Sequence, residues 1–168
     1  MRAGRLAELS VLTALALILF AVELQIPSPV PIPGVKLGLA NIITVYAVYR
    51  YRWYEVAAIV LVRLVLGALF SGILTALLYS LMGSALCLVG MLVLRRVIDE
   101  RHLWMASVFG ALLHNTGQMA VALLLLRTPS LLLYFPFLLV SGCIAGAFTG
   151  LCAQLILPRI EKAIKRGG

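Results

Sequence analysis

From Leu103 to Leu126 the chain carries no Asp, Glu, Lys or Arg, and the same holds from Ile73 to Leu94 and from Leu131 to Leu157. A helix crosses a hydrocarbon layer of about 30 Å with about 20 apolar residues. Only helices or closed barrels satisfy every backbone N–H and C=O in lipid. Runs of this length therefore predict membrane helices, and 63% hydrophobic against 12% charged residues is far from the balance of a water-soluble domain. The chain parses as a single domain over 1–168, an all-α integral membrane bundle of six transmembrane helices. They are placed at Leu6 to Glu23, Leu37 to Tyr49, Tyr54 to Phe70, Ile73 to Leu94, Leu103 to Leu126 and Leu131 to Leu157. Helix 2 is short for a full span; either Lys36 snorkels outward from its start or the preceding loop shelters it.

The net charge of +8 would raise nucleic-acid binding in a soluble protein, but its placement points elsewhere. Arg2 and Arg5 precede helix 1, Arg50 and Arg52 separate helices 2 and 3, Arg95, Arg96 and Arg101 separate 4 and 5, and Arg159, Lys162, Lys165 and Arg166 follow 6. The alternate loops hold only Lys36 and Arg127, which leaves Arg63 inside a helix. Positive loops stay in the cytoplasm, so both termini are expected there, in a cell membrane, with Trp53, Tyr54 and Trp104 at the same headgroup layer. No nucleic-acid partner is expected. Cys87, Cys143 and Cys152 lie in apolar runs without metal-ligand spacing and read as buried small residues.

Polar side chains inside a membrane segment are costly and are candidate site residues by default. Arg63 lies more than two turns into helix 3, about 13 Å deep at ~1.5 Å per residue. His114, Asn115 and Gln118 share one broad face of helix 5; Asn41 lies near the outer end of helix 2 and Glu23 ends helix 1 on the same side. Together these groups can form one polar pocket. They can equally act as internal structure: Arg63 paired with Glu23, Asn115 and Gln118 as hydrogen-bonding glue between helices. Tyr46, Tyr79, Phe109 and Tyr134 can stack on a ligand ring or fill core.

Between helices 1 and 2, Pro27, Pro29, Pro31 and Pro33 alternate before Gly34, which excludes helix and favours an extended strand, either a lid or a rigid connector. Small residues recur every four positions at Gly142, Gly146 and Gly150, at Gly67 and Ser71, and at Ala3 and Ala7, then Ser10 and Ala14. Such spacing permits close helix approach. The helix 6 stripe is expected to pack inside the bundle, whereas the helix 1 stripe suits either the bundle or a partner subunit. There is no P-loop motif, so the chain cannot use ATP by that route. Asp99 is the sole aspartate, so no Asp-rich cluster exists to hold magnesium against a diphosphate.

The run Pro33-Gly34-Val35-Lys36-Leu37-Gly38-Leu39-Ala40-Asn41-Ile42, Arg63 with Leu66-Gly67, and Gly110-Ala111 followed by His114-Asn115-Thr116-Gly117-Gln118 resemble the Gx transporter family, also labelled heptaprenyl diphosphate synthase component I. The resemblance covers nearly the whole chain. It implies a fold like the substrate-binding S-components of energy-coupling factor (ECF) transporters, with no enzymatic activity and no bound cofactor. A small-molecule solute would bind at Glu23, Lys36, Asn41, Arg63, His114, Asn115 and Gln118 beneath a Pro27–Gly34 lid. Ala3, Ala7, Ser10 and Ala14 would dock on a transmembrane coupling subunit, driven by two ATPase subunits that hydrolyse ATP. The other label implies an accessory part in menaquinone side-chain synthesis, or a subunit that binds a quinone or prenyl lipid. A structural helper in a membrane redox complex is a third class.

Overall fold

The computed structural model describes residues 3–25, 40–72 and 74–167. Six α-helices follow in order: α1 Ala3–Gln25, α2 Asn41–Arg50, α3 Trp53–Ser71, α4 Leu74–Leu94, α5 Leu103–Leu126 and α6 Phe135–Gly167. Short 3-10 turns at Glu100–His102 and Pro129–Tyr134 lead into α5 and α6. There is no strand among the described residues.

Five of these helices, all but α2, are long and apolar enough to cross a membrane. Large apolar side chains such as Leu69, Phe70, Leu124 and Ile144 stand exposed on their outer faces. In water such a surface would drive aggregation; against lipid it is the ordinary exterior of a multi-pass membrane protein.

The sequence-based bounds hold closely for α3 and α4 and to the residue for α5. Two differ. Residues 129–134 form a 3-10 turn, so α6 starts at Phe135 rather than Leu131, with Pro136 in its first turn, where a missing N–H costs nothing. The same helix continues past Leu157 to Gly167.

The expected helix 2 is the larger correction. Residues 37–39 lie outside the described residues, and α2 begins at Asn41. Its length of about 15 Å reaches only half of a bilayer core. Thr44, Val45, Tyr46, Ala47 and Val48 are buried in succession, so the helix is covered on every face. It packs against α1, α3, α4, α5 and α6. A helix sheathed in this way needs neither the length nor the ends of a full span.

At its C-terminus the carbonyls of Val48 and Tyr51 accept hydrogen bonds from Arg95 Nη1 at 2.9 and 3.4 Å. These bonds satisfy acceptors that a helix end leaves open. At the start of α3, Glu55 accepts from the backbone N–H of Arg52 at 2.8 Å, and Gly72 closes that helix in a left-handed conformation with φ of 68°.

Close backbone approach makes the two main seams. In α4–α5, Gly117 sits so near the Gly83 backbone that an added Cβ would lie 2.9 Å from the Gly83 Cα. In α5–α6, Gly142, Gly146 and Gly150 run along α5 from Asn115 to Trp104, as the four-residue stripe predicts. Ser107 and Thr149 share a buried hydrogen bond of 3.0 Å within that seam.

The main core lies toward the arginine-rich end. It joins Leu9 and Leu12 of α1, Val45 to Val48 of α2, Val56, Ile59 and Val60 of α3, Cys87 and Met91 of α4, Leu103 and Ala106 of α5, and Ala153 of α6. A second, small cluster of Met119 and Leu138 lies toward the opposite end between α5 and α6. Among the described residues no comparable core joins the far halves of α1, α3 and α4.

Candidate functional site

Counting back along the helices at ~1.5 Å per residue, Asn41, Arg63 and Ser84 each lie about 15 Å from the arginine-rich end. That is the level at which the main core stops. Arg63 is 7% exposed, and its Nη1 donates to Asn41 Oδ1 at 3.4 Å, a long bond for a guanidinium. Glu23 of α1 and Cys87 of α4 bear on it electrostatically. Asn41 of α2 and Arg63 of α3 thus meet through a hydrogen bond, and Glu23 of α1 is near enough to act on Arg63 electrostatically. Ser84, one turn from Cys87 on α4, is buried, and among the described residues its hydroxyl has no hydrogen-bond partner. Nothing in a Gly-Ser-Ala stretch of an apolar run distinguished that serine beforehand; its buried hydroxyl emerges from packing alone.

The α5 residues go elsewhere. Asn115 Nδ2 donates to the Leu138 carbonyl of α6 at 2.6 Å, in the role of interhelical glue. The His114 ring and the Gln118 side chain lie against Gly83 of α4. The broad face that carries these three residues is split between two neighbouring helices, because α5 lies between α4 and α6. Of the four aromatics singled out, Tyr46 is core, while Phe109 and Tyr134 are exposed. Lys36, Pro27, Pro29, Pro31, Pro33 and Gly34 lie outside the described residues.

On α1 the buried face carries Leu9, Leu12, Ala16 and Glu23, whereas Ala7, Ser10 and Ala14 are exposed. The small-residue stripe is therefore turned away from the bundle over these three positions; Ala3 starts the same helix. Gly67 of α3, by contrast, packs on the Phe20 ring of α1.

A second polar group, unanticipated from the sequence, stands at the arginine-rich end. Arg5 Nε and Nη2 donate to the two carboxylate oxygens of Glu55 at 3.0 Å each, and Arg5 Nη1 is 3.5 Å from Glu8. The guanidinium also lies 4.2 Å over the Tyr51 ring, whose hydroxyl donates to Glu8 at 3.3 Å. Bidentate geometry and a cation over an aromatic face both favour arginine over lysine here. Burial first, then neighbouring Tyr46 and Glu8, push the Tyr51 phenol up to about 12. The arginines at helix starts signal topology; that one of them clamps a glutamate fifty positions away depends on the fold.

No group of three or more His, Cys, Asp or Glu suited to a metal occurs among the described residues, and all three cysteines are free thiols. The site can therefore offer charge, hydrogen bonds and shape. Searches among curated proteins and solved structures return no match. Residues 12–156 match the family described as heptaprenyl diphosphate synthase component I, and since that match spans most of the sequence, the chain belongs to this family.

Proposed function

We propose that the protein is a membrane-embedded solute-binding subunit of the S-component kind, working in an ATP-driven uptake transporter. On this reading all six helices form the transmembrane unit, with α2 as a partial, sheathed span. The arginine-rich end and both termini face the cytoplasm. Solute enters from the opposite side.

The observation that carries the reading is Arg63. A guanidinium has five N–H donors, and the hydrogen bond that this one makes to Asn41 is long. Arg63 is buried at the level where the packed core gives way. A small solute with a carboxylate or phosphate complements such a donor fork, with Asn41 and the Ser84 hydroxyl as further hydrogen-bonding groups. The exposed Ala7, Ser10 and Ala14 stripe supports a coupling subunit on α1, and paired ATPase subunits would supply the energy. Binding drives transport only if the loaded and empty forms differ in their fit to that partner.

Native mass spectrometry of the purified protein tests the reading. The wild type is expected to retain a small anionic molecule, and Arg63→Ala and Asn41→Ala to lose it while circular dichroism stays unchanged. Retention that is indifferent to both substitutions would refute Arg63 as a ligand.

A second reading follows from the family description, an accessory membrane component of heptaprenyl diphosphate synthase without its own active site. Asp99, the sole aspartate, is exposed between α4 and α5 near the arginine-rich end and away from Arg63. Incubation of the purified chain with an allylic diphosphate and isopentenyl diphosphate separates the readings. Chain elongation by this protein alone would overturn the transport proposal and its non-enzymatic premise.

A further inference from the structure

Where α2 and α4 end, the surface holds an open cleft of about 340 Å³ lined by Tyr49, Arg95, Arg96, Ile98, Asp99 and Glu100. It lies outside the Arg63 group and on the opposite side of the main core. Its walls are built. Arg95 is held by the carbonyls of Val48 and Tyr51, and the Tyr49 hydroxyl donates to the Ile98 carbonyl at 3.2 Å. Asp99 and Glu100 bear electrostatically on the Tyr49 phenol. Among the described residues, the side chains of Arg96, Asp99 and Glu100 make no hydrogen bond or ion pair with one another. Two cations and two anions thus share one cleft without neutralising each other in direct pairs.

Below the cleft, Val89, Val93 and Val97 stand exposed at four-residue spacing. The backbone turns Val97 N–H to Leu94 O and Ile98 N–H to Leu94 O carry the helical path past the end of α4. Val97, beside Arg96 at the cleft, and Val93 and Val89 on α4 therefore form an apolar strip leading from the cleft along an exposed side of that helix.

We infer that this cleft seats the headgroup of a zwitterionic aminophospholipid, with the phosphate on Arg95 and Arg96, the primary ammonium against Asp99 and Glu100, and an acyl chain along the valine strip. A purely anionic headgroup would satisfy the arginines but meet two carboxylates. A headgroup carrying both signs satisfies all four, and its N–H donors suit carboxylates in a way that a trimethylated amine cannot. The valine strip favours the lipid over a free headgroup compound.

The test uses the full chain in detergent, with phosphatidylethanolamine, phosphatidylcholine and phosphatidylglycerol of identical acyl chains added separately and adducts read by native mass spectrometry. Phosphatidylethanolamine is expected to be retained about fivefold better than phosphatidylcholine, the scale of one exposed charge-assisted contact. Asp99→Asn combined with Glu100→Gln is expected to remove that preference, and Arg96→Gln to weaken retention of both zwitterionic lipids alike, each being a surface change that leaves helicity unchanged. Equal retention of the two zwitterionic lipids, or stronger retention of phosphatidylglycerol, would overturn the inference. So would full displacement of the lipid by equimolar soluble phosphoethanolamine, because the site would then belong to a free headgroup compound.

Discussion

The substitution Gly150→Ala isolates the close approach on which the α5–α6 seam depends. A Cβ at this position would lie 2.5 Å from the Trp104 Cα, 2.7 Å from the Ser107 Cβ and 3.2 Å from the Leu103 carbonyl oxygen. The first and last of these are backbone atoms, which cannot rotate away, so the helices must separate locally by on the order of 1 Å. A gap of that size forfeits a quarter to a half of each dispersion contact along the seam, and overpacking of this kind costs about 1–3 kcal/mol. The adjacent Ser107–Thr149 hydrogen bond is stretched by the same movement, a further loss of about 0.6 kcal/mol. Alanine recovers up to about 1 kcal/mol of helix propensity. The net effect is a destabilisation of about 2 kcal/mol, or roughly 4–8 °C in Tm for a chain of this size. Thermal melts in one detergent, followed by circular dichroism and by fluorescence of nearby Trp104, measure it. Gly4→Ala is the control, since nothing lies within 4 Å of its added Cβ, and its Tm should stay within about 2 °C of wild type. Adding Gly146→Ala to Gly150→Ala should cost less than the two separate losses combined, because the seam opens once for both. A Gly150→Ala protein that melts at or above the wild-type temperature would refute the packing argument.

Arg5→Ala removes both side-chain donors to Glu55, which is 5% exposed, but Arg5 itself is 38% exposed. Solvent screening therefore limits the expected loss to about 1–2 kcal/mol, and a double-mutant cycle with Glu55→Gln should return a coupling of about 1 kcal/mol; strict additivity would show that the pair is idle. For Tyr51 the folded phenol titrates at about 12 against an ordinary 10. Its stabilisation is present in full below pH 10 and disappears as pH rises toward 12, so wild type should lose stability relative to Tyr51→Phe across that window. Matching pH profiles would contradict this. Arg127 closes α5 with φ of 48°, a left-handed conformation unfavourable for a side chain. Arg127→Gly should raise stability by about 1 kcal/mol, and a lower Tm would mean that the arginine makes contacts outweighing its backbone strain.

What could be read from sequence follows from how local each signal is. The limits of α5 are marked by Arg101 and His102 on one side and Arg127 on the other, with an uncharged run between, so hydropathy locates both. Leu131 to Tyr134 are as apolar as the helix they precede, and composition cannot tell a 3-10 turn from an α-helical one. Apolar residues suit lipid and a protein interior equally, which is why α2 reads as a short span and emerges as a sheathed helix. The same reasoning applies to the polar groups. A rotation of about 100° per residue places His114, Asn115 and Gln118 on one side of α5, but only the positions of α4 and α6 decide that Asn115 turns to Leu138 and His114 to Gly83. Asn41 and Arg63 come together as expected. The Arg5–Glu55 clamp joins residues fifty positions apart, beyond any periodicity.

The anchoring of α1 at its first turn has a mechanical corollary. Arg5 fixes that end to α3, while Phe20 meets Gly67 about 22 Å further along, at ~1.5 Å per residue. With the clamp as fulcrum, a tilt of about 3° carries Phe20 roughly 1 Å across the face of α3, over a glycine that presents no side chain to obstruct it. Such a tilt would move Glu23 relative to Arg63 and turn the outward row of Ala7, Ser10 and Ala14 with it, since all five positions but Arg63 lie on the one helix.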